Sequence, residues 1–436
     1  MTSQIILALA ILVTLHELGH FAAARMFGIK VEKFYLFFDA WGFKLFKFKK
    51  GDTEYGIGWL PLGGYVKIAG MIDESLDTEQ LKKPAEPWEF RSKPAWQRLI
   101  VMLGGVIVNF VLGFIIFICT TWHYGEEKLP IDKVKYGVYA YDIGKSFGLK
   151  TGDNITGVND VNVKYFDELK KPSILINSGN FYNVNRNGES IKLPLPEDII
   201  DKVSDKKSAM FDAAIPCEVD TVIPKSPGEL AGLKKGDRII GFNDTAIQFQ
   251  QELSSKAINY ANKKANIKIV RNNDTQVLVI KLDKDAKIGF SPKIYYIKDL
   301  ELLNYGLGQS IRVGSSKSVE ALSDNIAGLG KLVSGKIDPR KSMQGPIGIA
   351  TLFGGQWVWQ RFWMLTGLLS LILAFMNLLP IPALDGGHVV FLLIEMVTGR
   401  PVNDKIMNVM QIIGMGILLT LMVFVFGNDI YKLIFK

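Results

Sequence analysis

The 436-residue sequence predicts a multi-pass α-helical membrane protein that has four transmembrane helices, a membrane-associated β-hairpin and an inserted α+β region. Three observations predict this fold class. The mean hydropathy is positive, at +0.18, and 48% of the residues are hydrophobic. Four apolar stretches are each long enough to cross a hydrocarbon core, which takes about 20 residues. The long region between the second and third stretches has the composition of a soluble domain and contains an internal repeat.

The predicted spans cover residues 5–27, 99–121, 362–379 and 406–426. We expect the first span to be retained as a helix, because no basic segment precedes it and no convincing signal-peptide cleavage pattern follows it.

Basic residues near the span ends predict the orientation, because cytoplasmic loops are enriched in Lys and Arg. Lys30, Lys33 and Lys44 follow the first span, and Arg91 and Arg98 precede the second. This loop is therefore predicted to be cytoplasmic. Both termini and the long region between the second and third spans are then predicted to lie outside the cytoplasm.

Composition excludes several classes of protein and site. The formal net charge is +8, but no basic tract is dense enough to suggest a nucleic-acid partner. Cys119 and Cys217 are the only cysteines, which excludes a disulfide scaffold and a cysteine-rich zinc site. Any metal site must therefore use the four histidines and the carboxylates.

The inserted region contains a repeat, in which residues 147–155 (FGLKTGDNI) are echoed by residues 231–239 (AGLKKGDRI). Each copy predicts a short helix end, a Gly-Asp turn and a strand. The pattern resembles the core signature of PDZ domains, more closely in the second copy than in the first. The resemblance implies two PDZ-like domains that could bind peptide ends, and a linker with an amphipathic helix near the outer membrane surface follows them. The predicted organisation is a membrane core at 1–121, PDZ-like domains at 126–215 and 216–295, the linker at 296–361 and a second membrane core at 362–436.

The sequence His16-Glu17-Leu18-Gly19-His20 lies inside the first span and has the pattern H-E-x-x-H. Residues four apart share one face of a helix, so both imidazoles can bind a single Zn²⁺, and Glu17 beside them can take a proton from the attacking water. A pair of structural histidines is the competing interpretation. However, ionisable groups within an apolar span cost free energy and usually mark a functional site. Helical rise places His20 roughly 10 Å from the cytoplasmic end of the span.

A catalytic zinc site usually has three protein ligands, so a third one is needed. Residues 377–388 (NLLPIPALDGGH) form the other polar cluster at membrane depth. Pro380 and Pro382 must interrupt the helix there, and irregular backbone within a membrane is tolerated around a cavity or a buried site. Asp385 is predicted to point inward as an oxygen ligand, and His388 is the competing ligand. The alternative is an ordinary cytoplasmic loop between the third and fourth spans.

H-E-x-x-H, combined with the pattern N-x-x-P-x-P-x-L-D-G-G that begins at Asn377, resembles the site-2 protease family of intramembrane zinc metalloproteases. Tandem PDZ-like domains between the second and third spans are similar to the bacterial branch that regulates sigma-E. The resemblance implies that His16, His20 and Asp385 bind one Zn²⁺ per chain and that Glu17 is the catalytic acid/base. It also implies that Asn377 holds the substrate backbone near the scissile bond.

The second span also matches the family, because Gly105 and Asn109 fit its Gly-x-x-x-Asn pattern. A glycine and an asparagine one turn apart permit close helix packing and an interhelical hydrogen bond. We expect these two residues, with Pro380 and Pro382, to be structural neighbours of the site. The resemblance also makes His388 a non-ligand.

The glycine-rich segment 55–70 resembles the membrane-dipping β-hairpin of the family. An exposed strand edge in this segment could hold an unwound substrate by adding it to the sheet. The predicted substrate-binding residues in this segment are Gly63, Gly64 and Tyr65.

The resemblance implies an enzyme of the bacterial inner membrane. Its substrates would be single-pass membrane proteins, such as anti-sigma factors or remnant signal peptides, that enter from the bilayer after trimming outside. Two alternatives stay open. A membrane metalloprotease of the CaaX-processing type would need a third ligand, usually Glu, on a later helix and lacks PDZ domains. A PDZ-based membrane scaffold without catalytic activity would have no reason to retain zinc.

Overall fold

The computed structural model of the chain describes residues 2–61, 63–71, 84–206, 209–335 and 338–435. The chain divides into two compact units. The membrane unit comprises residues 1–125, 304–327 and 343–436, and the inserted unit comprises residues 126–303 and 328–342.

The helices are α1 (Thr2–Met26), α2 (Ala95–Tyr124), α3 (Asp142–Ser146), α4 (Pro172–Ile176), α5 (Ile199–Lys206), α6 (Pro227–Leu230), α7 (Gln250–Ala257), α8 (Leu307–Val333), α9 (Pro339–Ser342), α10 (Pro346–Leu352), α11 (Trp359–Leu378), α12 (Asp385–Thr398) and α13 (Asp404–Phe435). The strands are β1 (Val31–Leu36), β2 (Lys44–Lys50), β3 (Thr53–Gly58), β4 (Tyr65–Ile68), β5 (Glu126–Lys128), β6 (Val138–Ala140), β7 (Asn154–Val158), β8 (Val161–Asn162), β9 (Phe181–Arg186), β10 (Glu189–Pro194), β11 (Phe211–Ala213), β12 (Val219–Val222), β13 (Arg238–Phe242), β14 (Thr245–Ala246), β15 (Lys264–Arg271), β16 (Asp274–Lys281), β17 (Phe290–Pro292) and β18 (Glu301–Leu303).

The four predicted spans are confirmed. Within the described residues, α1, α2, α11 and the part of α13 from Ile406 to Lys432 are long and apolar enough to cross a membrane. The observed helices extend beyond most of the predicted ends, because local capping sets the boundaries. For example, α2 begins directly after Pro94 and ends at Gly125, whose φ of +63° suits glycine and whose N–H donates to the carbonyl of Thr121.

The predicted break after the third span is also confirmed. The last residue of α11 is Leu378, and α12 begins at Asp385. Pro380 and Pro382 lie between these helices and cannot donate the backbone hydrogen bonds that would continue α11. α12 has 14 residues and is therefore about 21 Å long, too short to cross a hydrocarbon core of about 30 Å.

Helix α2 is central to the membrane unit, where it packs against α1, α11 and α12. Glycines permit this close approach. A Cβ atom built on Gly104 of α2 would lie 2.5 Å from the carbonyl oxygen of Gly19 in α1, and one on Gly113 would lie 2.6 Å from Leu371 of α11. The packing brings the backbone of α2 directly against the H-E-x-x-H face of α1.

The predicted β-hairpin within residues 55–70 is wrong in its pairing. β3 and β4 do not pair with each other, because β1 lies between them in a sheet of order β2-β3-β1-β4. Tyr35 of β1 pairs with Gly56 in parallel β3 and with Tyr65 in antiparallel β4. The fully buried ring of Tyr35 fills the space that a side chain at Gly56 would need. β4 is therefore an edge strand; Leu62, which precedes it, lies outside the described residues.

The inserted unit contains two hydrophobic cores, one built from residues between 134 and 213 and the other from residues between 217 and 288. Each core is covered by a four-stranded sheet, of order β10-β9-β7-β8 in the first and β16-β15-β13-β14 in the second. The two orders correspond strand for strand. The repeat also includes an ion pair, since Arg186 lies 2.7 Å from Asp153 and Arg271 lies 2.6 Å from Asp237. The sequence repeat is thus a repeat of three-dimensional structure.

The amphipathic helix predicted in the linker corresponds to α8. Ser310, Gly314 and Ser318 on one face of α8 are buried, and Gly314 packs against the backbone of Ile118 in α2. Leu307 is among the large apolar residues of α8 that are exposed. The location of α8 at the outer membrane surface stays a prediction.

A carboxylate near the end of α13 caps the start of α10. The buried side chain of Asp429 accepts hydrogen bonds from the backbone N–H groups of Gly345, Ile347 and Gly348 at 2.9 to 3.0 Å. These N–H groups have no partner within α10, and a negative charge is favourable at a helix N-terminus. Asp429 therefore fixes α10 to the last span.

Candidate metal centre and reaction cavity

The three predicted ligand side chains converge on one point. His16 and His20 lie one turn apart on the buried face of α1, and Asp385 is the first residue of α12. Nε2 of His16 lies 3.2 Å from Nε2 of His20, and each of these nitrogens lies 3.3 Å from Oδ2 of Asp385. Among the described residues, this is the one cluster of His, Cys, Asp and Glu ligand atoms that is close enough to hold a metal ion.

Hydrogen bonds behind the imidazoles fix which nitrogens face the cluster. Nδ1 of His20 lies 2.8 Å from the carbonyl oxygen of Val101, so Nδ1 carries a proton, and in the neutral imidazole Nε2 then carries a lone pair. His16 has an Asn side chain at each nitrogen, with Asn109 at Nδ1 (3.3 Å) and Asn377 at Nε2 (3.2 Å). A neutral imidazole has one donor and one acceptor, so it cannot accept from both amides.

The buried oxygen of Asn109 resolves this conflict. Oδ1 of Asn109 has no hydrogen-bond partner. Turning the amide by half a turn exchanges two atoms of nearly equal size and lets Oδ1 accept from Nδ1–H of His16. Nε2 of His16 then also carries a lone pair toward the cluster.

If both imidazoles are neutral, no proton lies between the three ligand atoms, and Oδ2 of Asp385 then has no hydrogen-bond donor. Such an arrangement is unfavourable unless a cation lies between the three atoms. Nitrogen or oxygen ligands at about 2.0–2.1 Å from a tetrahedral Zn²⁺ are about 3.3 Å apart. The donor set and the spacing in this chain both fit zinc, with a fourth position left for water or substrate.

Gly105 makes room for both histidines. A Cβ atom at this position would lie 2.5 Å from Nε2 of His20, 2.6 Å from Cε1 of His16 and 2.7 Å from Nδ1 of His16. One turn later on α2, the carbonyl oxygen of Asn109 accepts a hydrogen bond from Ser370 of α11 at 2.6 Å. The Gly-x-x-x-Asn pattern thus shapes the site directly, in addition to packing the helices.

The two glycines that follow Asp385 let α12 fold back onto the loop before it. A Cβ atom on Gly387 would lie 2.7 Å from the carbonyl oxygen of Ile381, and one on Gly386 would lie 2.5 Å from Leu378. Ala383 in this loop has a φ of +78°, a conformation that costs free energy for a residue with a side chain. The strained backbone at Ala383 lies two residues before Asp385, whose side chain lines the cavity.

A cavity of about 450 Å³ surrounds the ligand cluster. The predicted site residues that line it are His16, Glu17, His20, Gly64, Tyr65, Asn377 and Asp385. Gly63, Pro380 and Pro382 do not line it. Gly63 packs against the ring of Phe38, and the carbonyl oxygen of Pro382 packs against Gly414 of α13.

Sequence reasoning missed several polar residues of the cavity wall. Gln411 of α13 is only 3% exposed and lines the cavity, as do Lys33, Asp39 and Lys67 near the small sheet. Gln411 had a detectable signal, since it is a polar side chain inside an apolar span. The three charged residues had none, because their position depends on the order of the strands.

Charged and phenolic groups hold the sheet beside the cavity. The hydroxyl of Tyr65 donates to Asp39 at 3.0 Å, and burial raises the pKa of Tyr65 well above its usual value. Behind it, hydrogen bonds from Lys44 (2.8 Å) and Tyr35 (2.5 Å) lower the pKa of Glu54 to about 2. Tyr65 therefore stays protonated and Glu54 stays charged at neutral pH, and the strand that borders the cavity is held in place.

Comparison with known proteins agrees with this geometry. The sequence pattern of peptidase family M50 matches residues 4–421. The chain is 31% identical over 450 residues to a Haemophilus influenzae protein named regulator of sigma E protease, with 98% of both chains covered. It is 26% identical over 478 residues to protease RseP of Yersinia pestis, again with 98% of both chains covered. A Vibrio cholerae protein whose description contains the words zinc metalloprotease is 28% identical over 465 residues, with 98% of both chains covered.

Proposed function

Because this chain belongs to peptidase family M50 and is an intramembrane zinc metalloprotease, we propose that it cleaves single-pass membrane proteins at the His16, His20 and Asp385 centre. The convergence of three potential ligand atoms in a cavity that Glu17 also lines carries this proposal. The single cluster found among the described residues supports a proposed stoichiometry of one zinc per chain.

We assign the proton transfers to Glu17. Bound zinc would polarise the scissile carbonyl and lower the pKa of water to about 7. Glu17 lies next to His16 on α1, so its carboxylate can take a proton as the water oxygen bonds to the carbonyl carbon. The same carboxylate then gives that proton to the amine nitrogen as the C–N bond breaks. The products are one new carboxyl end and one new amino end.

We propose that the substrate binds in an extended form along β4. A peptide bond within a helix is shielded, so the substrate must unwind before it can react. β4 is the edge strand next to the cavity, and all of its residues, Tyr65 to Ile68, line the cavity. Its backbone can add the substrate as a further strand, and Asn377 on the wall can hold the substrate backbone.

The inserted unit provides two PDZ-like domains, at 126–215 and 216–295, in this proposal. The matching strand orders and the repeated ion pair support two related domains. By family resemblance they would exclude substrates with bulky outer domains and could bind peptide ends. We further propose that they and both termini lie in the periplasm of a bacterial inner-membrane protein. Anti-sigma factors and remnant signal peptides are the candidate substrates.

Purified full-length protein in detergent provides the test, with zinc content and cleavage of a single-pass substrate measured together. Glu17→Gln is expected to keep its zinc and lose cleavage, and Asp385→Ala is expected to lose both. Glu189→Gln, an exposed position in the inserted unit, is the matched control and is expected to behave as the wild type. Cleavage by Glu17→Gln at the wild-type rate would refute the assignment of Glu17. Wild-type protein without zinc would favour the scaffold alternative.

A further inference from the structure

The cavity contains a second polar side chain on α12 that the proposed mechanism does not use. His388 lies three residues after Asp385, so both side chains project from the same side of the helix. Both line the cavity. His388 is nevertheless absent from the cluster of ligand atoms that His16, His20 and Asp385 form.

The imidazole of His388 differs from the two ligand imidazoles in its hydrogen bonds. His20 is bonded to Val101 and His16 is bonded to Asn109, which orients both rings. For His388, no hydrogen bond to any part of the chain that the structure describes is found. His388 is half-buried and lines the cavity, so its ring nitrogens are available for a hydrogen bond to a molecule bound there.

We propose that His388 is a catalytic residue that donates a hydrogen bond to the oxygen of the scissile carbonyl as negative charge develops there. This inference rests on the proposed function and assigns a further role within the same site. An imidazole always carries at least one N–H, so it can act as this donor in either protonation state. A fixed donor in a site that excludes water contributes most when the charge forms, which lowers the barrier more than it strengthens substrate binding.

The local sequence keeps this donor in position. Gly386 and Gly387, between Asp385 and His388, allow the first turn of α12 to pack against the backbone of residues 378–382. The metal ligand and the donor are therefore held by the same rigid turn. His388 is therefore held in a fixed position relative to Asp385 and to the scissile carbonyl of a bound substrate.

Three variants test the proposal in the full-length protein: His388→Leu removes the donor, His388→Gln keeps an N–H donor, and Gln411→Leu removes another polar group of the cavity wall. His388→Leu is expected to lower kcat by roughly 100- to 1,000-fold with little change in KM. His388→Gln is expected to recover a large part of this loss. Zinc content is expected to stay at the wild-type level in all three variants.

A second readout does not depend on turnover. In a Glu17→Gln background, which retains uncleaved substrate, adding His388→Leu is expected to leave substrate affinity unchanged. Equal weakening of substrate binding and kcat/KM would overturn the proposal, because the residue would then bind the ground state. Loss of zinc in His388→Leu would also overturn it, since His388 would then be a ligand or a support for one.

The remaining outcomes are equally decisive. Wild-type kcat in His388→Leu would refute the role of His388 while leaving the proposed protease activity intact. A loss of kcat in Gln411→Leu alone would move the donor to α13. Equal losses in His388→Leu and His388→Gln would mean that shape, and not the N–H group, is what the site requires.

Discussion

Gly105→Ala should abolish zinc binding by adding one methyl group to a helix that supplies no ligand. The new Cβ would lie 2.5 Å from Nε2 of His20 and 2.6 to 2.7 Å from two ring atoms of His16. Non-bonded heavy atoms normally approach to about 3.5 Å, so relief of these contacts requires a separation about 1 Å larger. Both rings are buried between helices and cannot move away into solvent.

The magnitude follows from the tolerance of a metal site. Ligand distances in real sites vary by about 0.2 Å, so a shift of about 1 Å in either imidazole is several times too large. A misplacement of about 1 Å typically costs about 100-fold in rate even when the group is still present. We therefore expect Gly105→Ala to purify with little or no zinc and to lose at least about 100-fold in kcat/KM.

Gly113→Ala is the matched control. It lies on the same helix and its Cβ would be equally crowded, at 2.6 Å from Leu371 of α11, but it touches no ligand. Both variants should lose some thermal stability through overpacking, by about 1–3 kcal/mol. Only Gly105→Ala should lose zinc, as measured by metal analysis of protein purified in detergent. Full zinc content and wild-type turnover in Gly105→Ala would refute the placement of α2 against the ligands.

Three further predictions concern stability. Arg271→Leu breaks the ion pair with buried Asp237 and should destabilise the inserted unit by roughly 3–5 kcal/mol. Labelling of the Cys217 thiol at increasing denaturant concentration, in a Cys119→Ser background, measures the free energy of unfolding. A labelling curve identical to that of the Cys119→Ser protein would contradict this prediction. Burial raises the pKa of the Cys217 thiol to about 12 from 9.0, so the folded state holds this proton more tightly and loses stability as pH rises from 9 toward 12. Circular dichroism in denaturant should show this loss in the wild type and a smaller loss in Cys217→Ala. Asp429→Ala leaves three N–H groups at the start of α10 without their charged acceptor and should cost about 2 kcal/mol in thermal unfolding, with Asp429→Asn losing less.

The spans and the ligand residues were predictable because each rests on a local pattern. A run of apolar residues predicts a span wherever it lies in the chain, and H-E-x-x-H places His16 and His20 on one helical face without reference to tertiary structure. The break around Pro380 was predictable for the same reason, since proline removes a backbone donor. The helix boundaries confirm the spans, the position of His16 and His20 on one helix and the break after α11, whereas the role of these residues as zinc ligands stays a prediction.

The small sheet could not be predicted correctly, because its strand order depends on a partner outside the local segment. Residues 55–70 contain two strands and a glycine-rich turn, which favours a hairpin. The buried ring of Tyr35 instead places β1 between them, and the absence of a side chain at Gly56 makes room for that ring. Without the position of Tyr35, Gly56 indicates only a flexible or crowded backbone.

The sequence alone could not decide whether Asp385 or His388 is the third candidate metal ligand. Both residues lie on the first turn of α12, and spacing alone allows either to be the third ligand. In the structure, Oδ2 of Asp385 meets both imidazoles at 3.3 Å, whereas the ring of His388 faces the cavity outside that cluster. Two glycines thus separate the candidate metal ligand Asp385 from the candidate donor His388 on one helix turn.

The orientation of the ligands depends mostly on α2, which contributes no ligand itself. The carbonyl oxygen of Val101 accepts a hydrogen bond from His20, Gly105 provides space for both rings, and the side chain of Asn109 is hydrogen-bonded to Nδ1 of His16. These residues recur every four positions, so they form one stripe along the helix. Substitutions at these three positions should therefore change zinc affinity before they change the fold. Gly113 continues the stripe one turn beyond Asn109 but contacts α11, so substitutions there should act on helix packing alone.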